Sequence, residues 1–165
     1  MSPPASRASG FTLMEMLVTF FVLAVAVASL MSTFLGQASL NEQSRNLSWA
    51  MNDAGRVMEE LRRQNTGAAC VSPDLTPPAG GWDVWLHNAP GGKSLSGNFA
   101  TDELVWVNPD TADDPEPTVV SVCWRYRGHV VGECAWNGAQ LVANPGADGI
   151  VSSPAMLSTR MTCRR

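Results

Sequence analysis

The sequence predicts an α+β protein in which a long N-terminal helix packs on a small, mainly antiparallel β-sheet domain. Three observations lead to this fold class. Residues 11–31 are almost wholly apolar. Apolar residues then recur at three- and four-residue spacings as far as residue 65. Residues 66–165 combine short apolar runs with glycine- and proline-rich breaks, which is typical of strands joined by turns.

The apolar run at residues 11–31 is long enough to cross a membrane. About 21 residues at ~1.5 Å rise per residue span roughly 31 Å, the thickness of a bilayer core. Arg7 precedes the run and the next basic residue is Arg45, so the positive-inside rule places the N-terminus in the cytoplasm and the remainder outside. An ordinary signal peptide, cut after Ala26 or Ala28, is the alternative interpretation.

The helix is expected to continue as an amphipathic segment over residues 32–65, with Gly67 as its terminator. The apolar stripe keeps its phase, which favours one continuous helix. The low helix propensity of Gly36 and the capping-box pattern of residues 39–42 favour an interruption from Gly36 to Glu42 instead. Charged residues are assigned to the solvent face of the helix. They are Glu42, Arg45, Asp53, Arg56, Glu59, Glu60, Arg62 and Arg63.

The remaining residues, 66–165, are expected to form a β-sheet head domain. The turn-bounded apolar runs predict five strands. These are residues 83–87, 103–107, 118–126, 130–136 and 155–163. The third predicted strand alternates two sets of side chains, and its more apolar set is expected to face the helix. That set is Val120, Val122, Trp124 and Tyr126.

Composition narrows the classes of function. The chain is 45% hydrophobic and 16% charged, which suits a folded protein. A formal net charge of −4 and a pI near 5.0 disfavour nucleic-acid binding, which needs a basic face. The sequence has no Gly-x-Ser-x-Gly elbow and no phosphate-binding glycine loop. We therefore expect no enzyme activity, no catalytic residue and no cofactor.

The four cysteines all follow the apolar run. They are Cys70, Cys123, Cys134 and Cys163. An even number in an oxidising compartment predicts two disulfides, and four reduced core cysteines are the alternative. Three pairings are possible. A hairpin turn at Arg127-Gly128 favours Cys123 with Cys134, and Cys70 would then pair with Cys163.

An acidic loop over residues 108–117 is a candidate calcium site. It gathers Asp110, Asp113, Asp114 and Glu116, and calcium prefers such oxygen ligands. Their spacing fits no known calcium loop, so a solvated acidic loop is the favoured interpretation. Zinc is disfavoured because the cysteines are too far apart in sequence for a zinc-binding pattern.

Residues 10–18, GFTLMEMLV, closely resemble the cleavage and methylation motif of type IV pilins and type II secretion pseudopilins. Arg7 in the leader and Glu15 at the family spacing complete the match. The resemblance implies that a prepilin peptidase removes residues 1–10 by cutting between Gly10 and Phe11, and that Phe11 becomes N-methylated. It also implies the pilin lollipop fold, an inner-membrane anchor with a periplasmic head, and a later place in a pilus at the cell surface.

Glu15 is expected to act in assembly. A carboxylate in hydrocarbon costs of the order of a few kcal/mol unless it is paired. Cleavage creates a positive amino group at Phe11, one helical turn away, and parallel helices can bring that group to the Glu15 of a neighbouring subunit. The partners implied are other pilin subunits, the prepilin peptidase and inner-membrane pilus assembly proteins.

Within the family, residues 51–63, MNDAGRVMEELRR, and the strand that carries Trp124 are most similar to PilV-like minor pilins. The absence of proline between Phe11 and Val71 departs from many major pilins. The resemblance implies a minor pilin in filament initiation or at the tip, with motility, adhesion or DNA uptake downstream. The alternatives are a minor pseudopilin of a type II secretion system and, from another class, a membrane-anchored periplasmic enzyme or binding module.

Overall fold

The structure, a computed structural model, describes residues 12–67, 70–95, 101–111 and 113–163. The chain divides into two compact units, with the boundary between Gln43 and Ser44. The expected α+β class, a long apolar N-terminal helix with a small antiparallel sheet domain, is confirmed. In chain order the elements are α1 Leu13–Gln64, α2 Trp82–Asn88, β1 Glu103–Val107, β2 Glu116–Tyr126, β3 His129–Val131, β4 Cys134–Trp136, β5 Leu141–Ala143 and β6 Ala155–Met161.

Helix α1 continues without a break through Gly36 to Glu42, so the favoured prediction of one continuous helix is confirmed and the alternative of an interruption there is not. Its last residue, Gln64, agrees with the sequence-based expectation. The chain leaves the helix through a tight turn in which the Thr66 amide donates to the Arg63 carbonyl. Gly67 then has a φ of +116°, a conformation that side-chain-bearing residues rarely adopt.

In the second unit, one face of α1 is buried against the sheet. This face includes Ala50, Val57 and Leu61, which lie in one core cluster with Val120 and Trp124 of β2. The predicted helix-facing side of this strand is therefore confirmed. Full burial of a side chain such as leucine or valine stabilises the fold by about 1.5–3 kcal/mol, so this contact is a main source of stability for the head domain.

Strand β2 is the centre of a four-stranded antiparallel sheet. Strand β1 pairs with one side of it, while β6 pairs with the other side over residues 116–122. Strand β3 follows β2 through a two-residue turn, in which Arg127 and Gly128 have φ values of +49° and +82°. Positive φ at both positions matches the right-handed twist of the flanking strands. Strands β4 and β5 form a separate two-stranded sheet.

The predicted strand at residues 83–87 is wrong, because this segment lies within helix α2. Trp82 and Leu86 are buried at helical spacing, and Asp83 lies in the first turn, where the helix dipole favours a carboxylate. Over so short a segment, apolar residues fit a period of two as well as a period of 3.6.

The predicted strand at residues 130–136 is also wrong as a single element. Gly132, with a φ of +99°, separates β3 from β4, and the two strands belong to different sheets. The partner of β4 is β5, a three-residue strand that the sequence analysis did not predict.

Asp53 does not lie on the solvent face of α1, as the charge pattern suggested. Its side chain is completely buried. The residue is three positions after Ala50 and four before Val57, so helical geometry places it in the middle of the buried stripe.

Candidate functional site

The first turn of α1 is built around Thr12 and Glu15. The amide of Glu15 donates hydrogen bonds to the carbonyl and the side-chain hydroxyl of Thr12, at 3.1 and 3.3 Å. Thr12 therefore acts as the N-cap, and Glu15 is three residues later, as in a capping box. A carboxylate in this turn is stabilised by the positive end of the helix dipole.

Hydroxyl groups along the apolar segment are satisfied by the helix itself. Thr19 donates to the Glu15 carbonyl at 2.6 Å, Ser29 to the Val25 carbonyl, and Thr33 to the Ser29 carbonyl. Such i−4 bonds are how hydroxyl side chains are accommodated in hydrocarbon. None of the described residues forms a hydrogen bond or ion pair with the carboxylate of Glu15.

The large apolar side chains of the first unit are exposed. Leu13, Phe20 and Phe21 are between 68% and 83% exposed, and apolar side chains remain open along the helix as far as Leu40. By length and composition, the described residues include one helix that could cross a membrane, and it is α1. Exposure of this extent is unfavourable in water but suits lipid or packing against other apolar helices.

Gly10 and Phe11, between which the resemblance places the cleavage, lie outside the described residues. The processing step therefore stays a prediction. Glu15 lies within them, and residues 12–41 contain no other charged side chain.

Two disulfides connect distant parts of the second unit. Cys70, in the segment after α1, is bonded to Cys163, two residues after the end of β6, and Cys123 of β2 is bonded to Cys134 of β4. This is the pairing that the hairpin argument favoured. The first bond ties the exit of the helix to the last strand, and the second joins the two sheets.

The acidic loop is organised around Glu116, whose side chain is completely buried. Its carboxylate accepts hydrogen bonds from the amides of Thr111 and Asp113 and from the Thr111 hydroxyl, at 2.8 to 3.1 Å. Across residues 12–67, 70–95, 101–111 and 113–163, no three His, Cys, Asp or Glu side chains are arranged to hold a metal ion. The Glu116 carboxylate supports the fold of the loop, and Asp110, Asp113 and Asp114 do not join it in a calcium site.

A cluster of charged residues inside the second unit was missed by the sequence analysis. It consists of Asp53 and Arg56 on α1, Asp83 on α2, Lys93 in the segment after α2, and Glu103 at the start of β1; we call it the buried charge cluster. The Lys93 ammonium lies 2.6 Å from the Asp83 carboxylate and donates to the Glu103 carbonyl at 2.7 Å. No sequence motif links these positions. The position of Asp53 within the apolar stripe was the available signal.

A groove of about 430 Å³ runs beside β1 in the second unit, and its walls include Trp82, Trp106 and Val107. Two of the polar side chains that line it, those of Asp83 and Asn108, make hydrogen bonds within the fold. The side-chain amide of Asn108 donates to the carbonyls of Pro109 and Pro117. The Asp83 carboxylate accepts a hydrogen bond from the backbone amide of Val105 at 3.0 Å.

A family model described as the prokaryotic N-terminal methylation motif matches residues 5–31. No curated protein and no solved structure matches the chain. The matched segment contains the prepilin motif and the whole apolar run at residues 11–31, including the first turn of α1. Together with the exposed apolar helix, this match supports a type IV pilin or pseudopilin, a structural class of protein that is processed by prepilin peptidase and assembles into pilus-type complexes.

Proposed function

We propose that this protein is a minor pilin that acts in the initiation or tip assembly of a type IV pilus. Residues 11–31 hold it in the bacterial inner membrane, with the leader in the cytoplasm and the head domain in the periplasm. After processing, the subunit enters a filament that reaches the cell surface. Motility, adhesion or DNA uptake would be downstream effects of that filament.

The observation that carries this proposal is the position of Glu15. It is the one charged side chain in the exposed apolar part of α1, residues 12–41, and none of the described residues pairs with it. A lone carboxylate in lipid is unfavourable by a few kcal/mol. Apolar packing between lipid-exposed helices sets no axial register, whereas a specific ion pair does. A neighbouring subunit with a free amino group at Phe11 would supply that pair.

The head domain supports an extracytoplasmic location. Its two disulfides involve Cys70, Cys123, Cys134 and Cys163, which are all the cysteines of the chain. Disulfides of this kind persist in the periplasm and at the cell surface but are rare in the reducing cytoplasm. This agrees with the orientation that Arg7 predicts for the apolar helix.

Processing of the N-terminus is the direct test. Mass spectrometry of the mature protein should find an N-methylated Phe11 as the first residue. A Gly10→Arg variant should accumulate as a precursor about ten residues longer, because the peptidase requires the small residue that the motif provides. Ser9→Ala, which changes the leader but keeps the glycine, is the matched control and should be processed normally. A mature protein that retains residues 1–10, or one that lacks the whole apolar helix, contradicts the proposal.

The matched motif is shared with type II secretion pseudopilins, so a minor pseudopilin is the second candidate. Deletion of the gene separates the two. If the protein is a minor pilin, its deletion should reduce the number of surface pili and leave protein secretion intact. If it is a pseudopilin, its deletion should impair protein secretion and leave the number of surface pili unchanged. A membrane-anchored enzyme or binding module predicts no change in either.

A further inference from the structure

Glu103 presents a buried carboxyl group without a donor. It is the first residue of β1 and is only 1% exposed. Among the described residues, none donates a hydrogen bond to either of its carboxyl oxygens. An ionised carboxylate in this position would lose its hydration without replacement, which is one of the most unfavourable arrangements in a protein interior.

The neighbouring Asp53 carboxylate, in contrast, already accepts three hydrogen bonds, and its two oxygens have room for one more. One oxygen accepts the Ser94 amide at 2.7 Å, and the other accepts the Ser94 hydroxyl at 2.8 Å and the Arg56 guanidinium at 3.4 Å. Arg56 also donates to the carbonyls of Pro90 and Gly92. Asp53 and Arg56 therefore fasten residues 89–95, the segment after α2, to helix α1.

The charges in the buried charge cluster balance only when Glu103 is neutral. Two cations, Arg56 and Lys93, are matched by two anions, Asp53 and Asp83. An ionised Glu103 would add an excess negative charge next to Asp53, at a place where water cannot screen it. Burial, more than any neighbour, raises the pKa of Glu103 to about 8, and the charges of Asp53 and Asp83 act in the same direction while Lys93 opposes them.

We propose that Glu103 keeps its carboxyl proton at neutral pH and donates it in a hydrogen bond to the Asp53 carboxylate, forming a buried acid–carboxylate pair that holds residues 89–95 on α1 and opens in alkaline solution. The protonated group satisfies both requirements of the site. Its O–H has an acceptor in Asp53, and the cluster has no net charge. Loss of the proton places two carboxylates against each other and weakens the attachment of Ser94. This inference is independent of the proposed function.

Glu116 provides a matched comparison within the same sheet. Both glutamates are buried, but the Glu116 carboxylate accepts two backbone amides and a hydroxyl, whereas Glu103 has no donor among the described residues. A change to glutamine keeps the size of either side chain and removes its acidic group. At Glu116 this change weakens bonds that the structure uses. At Glu103 it reproduces the neutral state that we propose.

Infrared spectroscopy of the full chain in detergent tests the proposal. In D2O at pH 7, the wild type should show the carbonyl stretch of a protonated carboxylic acid. The band should disappear with a midpoint near pH 8, should be missing from Glu103→Gln and should remain in Glu116→Gln. If Glu116→Gln does not fold, Glu59→Gln on the exposed face of α1 serves as the control. A folded wild type without the band at pH 7, or a band that persists in Glu103→Gln, overturns the proposal.

Hydrogen exchange at the Ser94 amide tests the opening itself. After correction for the intrinsic rate, protection in the wild type should fall about tenfold per pH unit from about pH 5 to about pH 8, because over this range the opened segment releases the Glu103 proton while the closed segment keeps it. Protection in Glu103→Gln should not change over the same range. Equal behaviour of the two proteins shows that the pair does not hold this segment. If Glu103→Gln does not fold, the infrared titration of the wild type still decides whether the proton is present.

Discussion

The ammonium group of Lys93 lies 2.6 Å from the carboxylate of Asp83, and the lysine side chain is completely buried. This contact joins the segment after α2 to the helix itself, and the same carboxylate oxygen accepts the amide of Val105 in β1. Three parts of the head domain thus meet at one ion pair.

Replacement of Lys93 by methionine should destabilise the head domain by about 3 kcal/mol, because it leaves the Asp83 charge in a partly buried site without its cation. Chemical denaturation followed by tryptophan fluorescence measures this, since all six tryptophans are in the second unit. Adding Asp83→Asn should restore part of the loss, because asparagine has no charge but keeps an acceptor for Val105. A double variant no more stable than Lys93→Met alone would contradict this explanation.

The stability of the head domain should fall as the pH rises from about 5 to about 8. The unfolded chain loses the Glu103 proton near pH 4.5, whereas burial raises the pKa in the folded protein to about 8. Between these two pH values, ionisation of Glu103 stabilises the unfolded state but not the folded state. The free energy of unfolding therefore falls by about 1.4 kcal/mol per pH unit because of this group. Below pH 4.5 and above 8 its contribution is constant. Urea denaturation of wild type and Glu103→Gln should show this slope in their difference, and parallel curves would count against it.

Glu15→Gln should leave the protein in the membrane but reduce its incorporation into filaments roughly tenfold or more, because the ion pair with a neighbouring amino group is lost. Immunoblots of the membrane fraction and of sheared surface filaments measure the two pools. Thr33→Val is the matched control, because it also removes a polar group from this helix. Among the described residues, the Thr33 hydroxyl bonds only to the Ser29 carbonyl within α1. Normal filament incorporation of Glu15→Gln would refute the assembly role.

The two disulfides should differ in their effect on stability. The Cys70–Cys163 bond closes a loop with a sequence separation of 93, and the Cys123–Cys134 bond one of 11. Chain entropy predicts losses of about 4.7 and about 2.8 kcal/mol when the paired cysteines are replaced by serine. Denaturation of the two double-serine variants compares them directly. Equal losses would indicate that the sheet-to-sheet bond contributes by packing as well as by entropy.

Gly132→Ala should be more damaging than Gly138→Ala, although both glycines have a φ of +99°. A Cβ at residue 132 would be 2.7 Å from the Cys123 sulfur and 3.2 Å from Ser153, whereas residue 138 has no atom within 4 Å. Backbone strain of about 1–2 kcal/mol is common to both, and the clash adds to it only at Gly132. Similar melting temperatures for the two variants would show that the neighbouring strands yield to the extra methyl group.

Long periodic segments were predictable from the sequence. Helix α1 carries its apolar stripe over many turns, and β2 alternates over nine residues, so local pattern and tertiary packing agree. The cysteine pairing was accessible for a similar reason, because Arg127-Gly128 is a short-range hairpin signal. Among the shorter elements, β1 and β6 were predicted as strands, whereas α2, β4 and β5 were not. In α2 a few apolar residues fit a strand period of two as well as a helix period of 3.6. Strands β4 and β5 are too short to show any period.

The buried charge cluster could not be predicted because it is assembled from four separate parts of the chain. Asp53, Asp83, Lys93 and Glu103 have no fixed spacing, and each is an ordinary surface residue by type. Only the fold brings them together. Asp53 was the exception that the helical period could have shown, had its place between Ala50 and Val57 been given more weight than its charge.

The contacts of Lys93 and Asp83 with β1 also affect how the sheet can meet other molecules. The backbone amide of Arg125 donates to the Asp102 carbonyl, and the backbone amide of Asn108 donates to the Val119 carbonyl. Because backbone groups alternate in direction along an antiparallel strand, those of Glu103 and Val105 point away from β2. The Glu103 carbonyl accepts a hydrogen bond from Lys93, and the Val105 amide donates one to Asp83. A foreign strand aligning here would have to displace a desolvated ion pair, so this edge of the sheet is protected from β-augmentation and from aggregation through it.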